Sequence, residues 1–540
     1  MDGYSINQNT DYKKEVVSFF ISKNILVNTA FLDTSVALNK DSFYTLLQEK
    51  VDLNSFLYIN NELKELIFSI SFPKVSWLEF EKARVLFEKN NQDDAYKRFL
   101  DYFKKTNEPK KIPQPTNPED MSKSPVKVIF SYKEEPKQRK AKDFMALFVK
   151  RYEAIESMLR NRQELQNLTS INKILSKKER ENVSIIGMVY DIQMTKNGNL
   201  MVTVEDLTGC IKLLVTKNKP DLYDESKNIV LDEVIGVSGM NGENILFVDS
   251  IIRPDVPLNK ELKKSPDEAY ALFLSDLHVG STNFLEENFQ KFLRWINGEF
   301  GSKEQREIAA NVKYIFIIGD LIDGCGVYPE QDKELIIKDI YQQYEVCAQL
   351  LSKIPTRIRM IILPGNHDAL RISEPQPELY KDFAKAMWDL PNVIMISNPG
   401  YVNIHATKTF PGFDVLLYHG YSFDYYVANV DSIRNRGGYN RADLIMKFLL
   451  QRRHLAPTHK STLYIPETTK DPLVIDKIPD FFVTGHIHKT SVSQYRNITL
   501  ISGSCWQSKT IFQEKVGHNP EPCRVPIVNL QTRAVKILRF

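Results

Sequence analysis

Cysteine is scarce in this 540-residue chain. Five occur, Cys210, Cys325, Cys347, Cys505 and Cys523, none in Cys-x-x-Cys spacing. An odd, dispersed set excludes a disulfide framework and a structural zinc site. No excess of charge exists either: 71 Lys and Arg against 68 Asp and Glu leave a net +3. That balance does not announce a polyanion binder, since net charge speaks to steering and not to fold. No apolar run approaches the ~20 residues of a membrane helix. The N-terminus, MDGYSINQNTDYKKE, is polar and carries acids, unlike a signal peptide. A soluble, cytoplasmic chain without a membrane partner is expected. The length suits three or four domains, and 42% hydrophobic residues can build their cores.

Histidine is sparse as well, and its placement is informative. Five of nine histidines fall in short motifs spread through the second half of the chain. These are Asp276-Leu277-His278, Gly319-Asp320-Leu321-Ile322-Asp323, Gly365-Asn366-His367-Asp368, His419-Gly420 and Gly485-His486-Ile487-His488. Each follows an apolar run: ALFL, YIFII, MIIL, VLLY and FFVT. Such runs ending in polar loops read as buried strands. Ligand and catalytic groups of α/β sheets gather where such strands end.

These residue types suit phosphoester hydrolysis. Two metal ions roughly 3.5–4 Å apart supply a nucleophile at neutral pH and a sink for phosphoryl charge. Asp320 is the natural bridging carboxylate. Asp276, His278 and His488 can complete one ion, and Asn366, His419 and His486 the other. His367 is left over and suits an acid or transition-state donor. Asp368 beside it is expected to hold its tautomer, with a helix N-cap as the alternative. Asp323 is expected to orient ligands. Mixed Asp, His and Asn donors suit Mn²⁺, Fe²⁺ or Zn²⁺.

The motifs match the calcineurin-like metallophosphoesterases at every metal-ligand position. Further segments narrow the resemblance: Asn435-Arg436-Gly437-Gly438-Tyr439, Gln451 to Pro457, Pro479-Asp480-Phe481 and Ser502 to Gln507. With them, residues 140–540 resemble the small subunits of archaeal family-D DNA polymerases. The resemblance implies a two-metal 3′→5′ exonuclease, with manganese favoured, proofreading for a separate large catalytic subunit. DNA is the implied substrate, and a sliding clamp is an implied contact through the complex. A non-catalytic scaffold subunit and a stand-alone repair nuclease stay open as alternatives.

The rest of the chain reads as a multidomain α/β protein. Residues 1–103 carry apolar spacings such as Val16, Val17, Phe19, Phe20 and Trp77, Phe80, Ala83, Phe87, expected as a helical domain. Residues 104–141 open on KKTNEPKKIPQPTNPEDMSKSP and read as a flexible Pro/Lys-rich linker. Residues 142–180 are expected as connecting helices. Residues 181–256 hold five strand-like runs at hairpin spacing, expected as an OB-fold β-barrel. Tyr190, Tyr223 and Phe247 are its few aromatics, so packing and partner docking are expected of it rather than strong DNA binding. Residues 257–540 are expected as the phosphoesterase sandwich. Between His419 and His486, Arg452, Arg453, His454 and Lys460 are expected as a basic rim touching phosphates. Cys325 is expected as a small buried residue.

Overall fold

Alternate residues of a single strand here serve two different cores, which is why the strands read as unbroken apolar runs. The computed structural model describes residues 14–23, 25–27, 44–45, 57–59, 125–177, 179–515 and 517–540. Two units are present, Met1–Gln114 and Pro115–Phe540.

In the first unit, residues 14–21 are helical with Val16 and Phe20 buried. Strands β1 (Ile25–Val27) and β2 (Leu57–Ile59) pair in parallel. The described part is therefore not purely helical, as residues 1–103 were expected to be. The stretch around Trp77, Phe80 and Phe87, and residues 104–124 of the expected linker, lie outside the described residues.

The second unit begins its regular structure with β3 (Val126–Ser131), inside the span expected as linker. β3 pairs antiparallel with the strand Gly400–Ile404 and so forms a sheet edge. The alternation in VKVIFS carried this signal; the neighbouring prolines masked it. Tyr132 extends the attachment, its backbone N–H donating to Ser397 Oγ at 2.6 Å. A fragment starting at Pro115 is thus expected to keep the sheet whole. One starting at Lys142 loses β3 and is expected to melt at least ~2 °C lower. Thermal unfolding of the two fragments checks this; equal midpoints would contradict it.

Helix α1 (Ala141–Leu159) follows, burying Leu147, Tyr152, Ile155 and Leu159 on one face. Next come β4 (Asn182–Met194), β5 (Leu200–Asp206), β6 (Gly209–Val215), α2 (Pro220–Ser226), β7 (Val234–Gly242) and β8 (Ile245–Ile252). The five strands close into a barrel in the order β4-β5-β6-β8-β7. Its interior is aliphatic, with Ile185, Val202, Leu213, Val237 and Leu246 at its centre. Tyr190 and Phe247 point outwards, 68% and 39% exposed.

The remainder is a sandwich of two six-stranded sheets. Its strands are β9 (Tyr270–Leu274), β10 (Val312–Ile318), β11 (Arg359–Leu363), β12 (Val393–Met395), β13 (Gly400–Ile404), β14 (Phe413–Leu417), β15 (Phe481–Thr484), β16 (Ser491–Tyr495), β17 (Ile498–Ser502), β18 (Arg524–Asn529) and β19 (Val535–Arg539). One sheet runs β12-β11-β10-β9-β18-β19 and the other β16-β17-β15-β14-β13-β3. Side chains alternate across each strand. Ala271 and Phe273, Tyr314 and Phe316, Ile361 and Leu363, Val415 and Leu417, and Phe481 and Val483 fill the space between the sheets. Leu272, Ile315, Ile317 and Ile362 face outwards under α3 (Glu286–Ile296) and α4 (Ile340–Leu351). Leu416, Phe482 and Leu500 face α5 (Ala442–Arg452) on the far side. Strands β9, β10 and β11 are mutually parallel, as are β14 and β15. The five motifs are the loops that leave these five strands. Among the described residues, no helix is long and apolar enough to cross a membrane.

Candidate metal centre

Left-handed turns of the backbone aim three of the loops inwards. Asp276, His278, Asp320, His486 and His488 all take left-handed φ, between 50° and 71°. Each such residue costs on the order of 1 kcal/mol, and strain of this kind collects at functional sites. The motif glycines leave room for the side chains. A Cβ on Gly365 would stand 2.2 Å from Asp320 Oδ1, and one on Gly319 2.4 Å from His419 Nδ1.

The side chains converge as two triads. Asp276, His278 and His488 form one; Asp320, His419 and His486 form the other. His278 Nε2 and His488 Nε2 face each other at 3.0 Å, with Asp276 Oδ1 3.3 Å from His488 Nε2. Asn366 Oδ1 lies 3.0 Å from both His419 Nε2 and His486 Nδ1. Asp320, of the second triad, also faces the first. Its Oδ2 is 3.3 Å from His419 Nε2 and 3.9 Å from His278 Nε2. Its Oδ1 accepts from the His367 backbone N–H at 2.8 Å.

Outer contacts fix how the rings present their inner nitrogens. His419 Nδ1–H donates to the Ile318 carbonyl at 2.8 Å. His486 Nε2 meets Asp424 Oδ2 at 2.9 Å, and His278 Nδ1 meets Asp323 Oδ1 at 3.0 Å. His419 and His486 are thus held by their outer nitrogens, and their inner nitrogens face Asp320 and Asn366. Carboxylates, imidazole nitrogens and an amide oxygen gathered at this spacing fit a divalent cation. The charge balance says the same. Burial opposes it, yet Asp320 and Asp276 push His419 up to about 10. Burial would raise Asp320, but His419 and His367 hold it well below the usual carboxylate range. The field here attracts positive charge.

Beside the triads, Asp323 accepts from Gln507 Nε2 at 2.8 Å as well as facing His278. His367 is set apart from the expectation. Its Nδ1–H donates to the Asp323 carbonyl at 2.8 Å, not to Asp368. Asp368 turns away and accepts from the Gly365 N–H at 2.8 Å and the Tyr344 hydroxyl at 3.2 Å. Nor does it cap a helix, since residues 369–371 form none. Burial, reinforced by Asp320, pushes its carboxyl up to about 7. Asp368 therefore braces the loop that carries Asn366 and His367. His367 also completes a third close group with His278 and Asp320.

The expected basic rim needs correction. Arg452, Arg453 and His454 are buried, and only Lys460 of the four is exposed. Arg452 Nε lies 2.6 Å from Glu233 Oε2 at the start of β7, tying sandwich to barrel. Arg453 donates to the Ile475 and Asp476 carbonyls at 2.7 and 2.6 Å. His454 Nε2 pairs with Asp471 Oδ2 at 2.9 Å, and Arg151 of α1 reaches the same oxygen at 2.8 Å. These groups hold domains together and cannot meet a phosphate. Cys325, expected buried, is exposed.

The buried trio has a consequence for acid stability. Burial, then Arg151, pulls His454 down to about 4. The unfolded chain takes up that proton near 6.5, while the folded chain refuses it. The stabilisation is complete above about pH 6.5 and is lost as pH falls towards 4, on the order of 3 kcal/mol in all. His454→Gln is expected to flatten this fall. Urea midpoints at pH 7 and 4.5 for both proteins check it; parallel falls would contradict it.

Sequence reasoning passed over Asp424, Gln507 and Gln513. Asp424 orients His486, Gln507 orients Asp323, and the Gln513 amide lies 2.9 Å from His488 Nδ1. None carries a motif, because each is defined by a distant partner. Gln507 alone lay in a segment, Ser502 to Gln507, that the family resemblance includes.

The calcineurin-like phosphoesterase family model matches residues 270–490, the body of the sandwich and all five motifs. The DNA polymerase II small subunit of Methanothermobacter thermautotrophicus is 39% identical over 398 residues, covering 74% of this chain and 79% of that one. The like-named subunit of Archaeoglobus fulgidus is 37% identical over 407 residues, covering 75% and 78%. That of Pyrococcus furiosus is 39% identical over 400 residues, but the match spans only 63% of its greater length. The chain belongs to the family of archaeal DNA polymerase II small subunits, those of family D.

Proposed function

We propose that this chain is the proofreading subunit of a two-subunit replicative polymerase, a 3′→5′ exonuclease acting on single-stranded or mismatched DNA ends in the cytoplasm. The observation that carries this reading is Asp320 Oδ2, which faces His419 of its own triad at 3.3 Å and His278 of the other at 3.9 Å. A scaffold that only held a partner would have no use for five ligands in strained backbone conformations.

Asp276, His278 and His488 would hold one divalent ion, Asn366, His419 and His486 the second, with Asp320 shared; manganese is the favoured metal. The pair supplies an activated water and neutralises charge on the phosphoryl oxygens. His367, anchored through Nδ1, turns Nε2 towards the reacting phosphate. There the anionic phosphate favours the imidazolium form, whose Nε2–H donates to the departing 3′-oxygen as the P–O bond breaks and water's oxygen bonds to phosphorus. Asp323 keeps His278 and His367 in register, from its side chain and its carbonyl.

The barrel's closed strand order, with α2 between its third and fourth strands, is read as an OB-fold. Its exposed Tyr190 and Phe247 suit docking of a partner. The partner proposed is the large catalytic subunit, with a sliding clamp reached through the complex.

Primer extension on matched and mismatched ends tests the assignment. The chain alone should shorten DNA and never extend a primer. With the large subunit added, synthesis should appear and mismatched ends should be trimmed first, because a mispaired end frays more readily. Equal trimming by Asp320→Ala would place proofreading elsewhere.

A further inference from the structure

Close to His367 lies an aromatic pair that the hydrolytic site does not use. Tyr328 and Phe512 are stacked, with ring centroids 5.2 Å apart and planes 27° apart. The Tyr328 ring is 6.2 Å from that of His367. Phe512 is 41% exposed, and Ile511 beside it 59%. Two large apolar side chains standing in water next to a phosphoester site call for a physical reason.

Their setting is built rather than incidental. Glu334, buried, accepts from the Tyr328 hydroxyl at 3.0 Å through Oε2 and from the Ile511 backbone N–H at 2.9 Å through Oε1. One carboxylate therefore holds Tyr328 and the residue preceding Phe512. The short helix bearing Phe512 is tied to the site again, since Gln513 touches His488 Nδ1. The stack is thus fixed relative to the donors that would hold the metals.

We propose that Tyr328 and Phe512 form a stacking platform for the nucleobase at the 3′ end of a single DNA strand. The inference rests on the exonuclease reading and adds to it the group that selects unpaired ends. Every base offers a π-face, so such a platform is indifferent to sequence. It is not indifferent to pairing. A base inside a duplex has its faces covered by its neighbours and must leave the stack before it can meet Phe512. A mismatched terminal nucleotide does so at low cost, a matched one does not. The platform thereby converts fraying into delivery of the terminal phosphodiester to His367.

The test uses the full chain with Mn²⁺ and an oligonucleotide ending in 2-aminopurine, its last linkage a phosphorothioate to slow cleavage. Stacking should quench the fluorophore on binding. Phe512→Tyr should keep the quenching; Phe512→Leu should lose it and weaken binding roughly 10-fold, the usual scale for one base on one ring. Metal content, measured in parallel, should match the unaltered chain. On the unaltered chain an abasic 3′ end should carry the same penalty, so the result does not depend on a variant folding. Unquenched fluorescence, or equal affinity for Phe512→Leu and for the abasic end, overturns the platform. The quenching readout needs no hydrolysis, and shortening is read on the same oligonucleotide with an ordinary terminal phosphodiester: quenching without any shortening of that DNA would sink the exonuclease reading alone, and shortening without quenching would sink the platform alone.

Discussion

Asp320→Ala is expected to abolish DNA hydrolysis and to lower bound metal. The carboxylate is fully buried, and its Oδ2 faces donors from both triads. In the proposed two-ion site, removing it takes away the carboxylate that would be shared, and two cations brought close without a shared anion repel each other. The loss extends to the loop that follows β11, because Oδ1 accepts the His367 N–H. Both readouts should move together: activity to background and metal content below that of the unaltered chain. Full activity with unaltered metal would remove Asp320 from the bridging role.

His367→Ala is expected to separate those readouts. Metal should stay, held by the seven remaining donors, while the rate falls ~10²–10⁴-fold, the usual worth of an acid or donor at the reacting group. The anchoring of Nδ1 on the Asp323 carbonyl leaves Nε2 as the working nitrogen. The ring also stands within ligand distance of His278 and Asp320, so metal analysis decides between the roles. Loss of one ion per chain on this substitution would make His367 a ligand.

Strands and ligand loops were legible in the sequence for one physical reason. Strands buried on both faces must be apolar throughout, so the polar loop that follows marks the sheet edge, and at five edges that loop carries a donor motif. Reach across the fold was not legible. Arg452, Arg453 and His454 show their charge in the sequence but not Glu233, Asp471 or the carbonyls that bury it. Asp368 sits next to His367 in the chain, yet a loop turn sends its carboxylate to Gly365 and Tyr344 instead. Strand β3 was hidden because its six residues adjoin a proline-rich stretch and its partner lies in β13, far along the chain. Asp424 gave no signal at all, being one acid among many until His486 is seen beside it.

The central claim is that this donor set hydrolyses DNA from the 3′ end. A time course on 5′-labelled single-stranded DNA with Mn²⁺, run with the purified chain and with Asp320→Ala, tests it most directly. A ladder of labelled products shortening step by step is expected with the unaltered chain and none with the variant. Intact DNA in both lanes, immediate release of labelled mononucleotide from the 5′ end, or the same ladder from both proteins would contradict it.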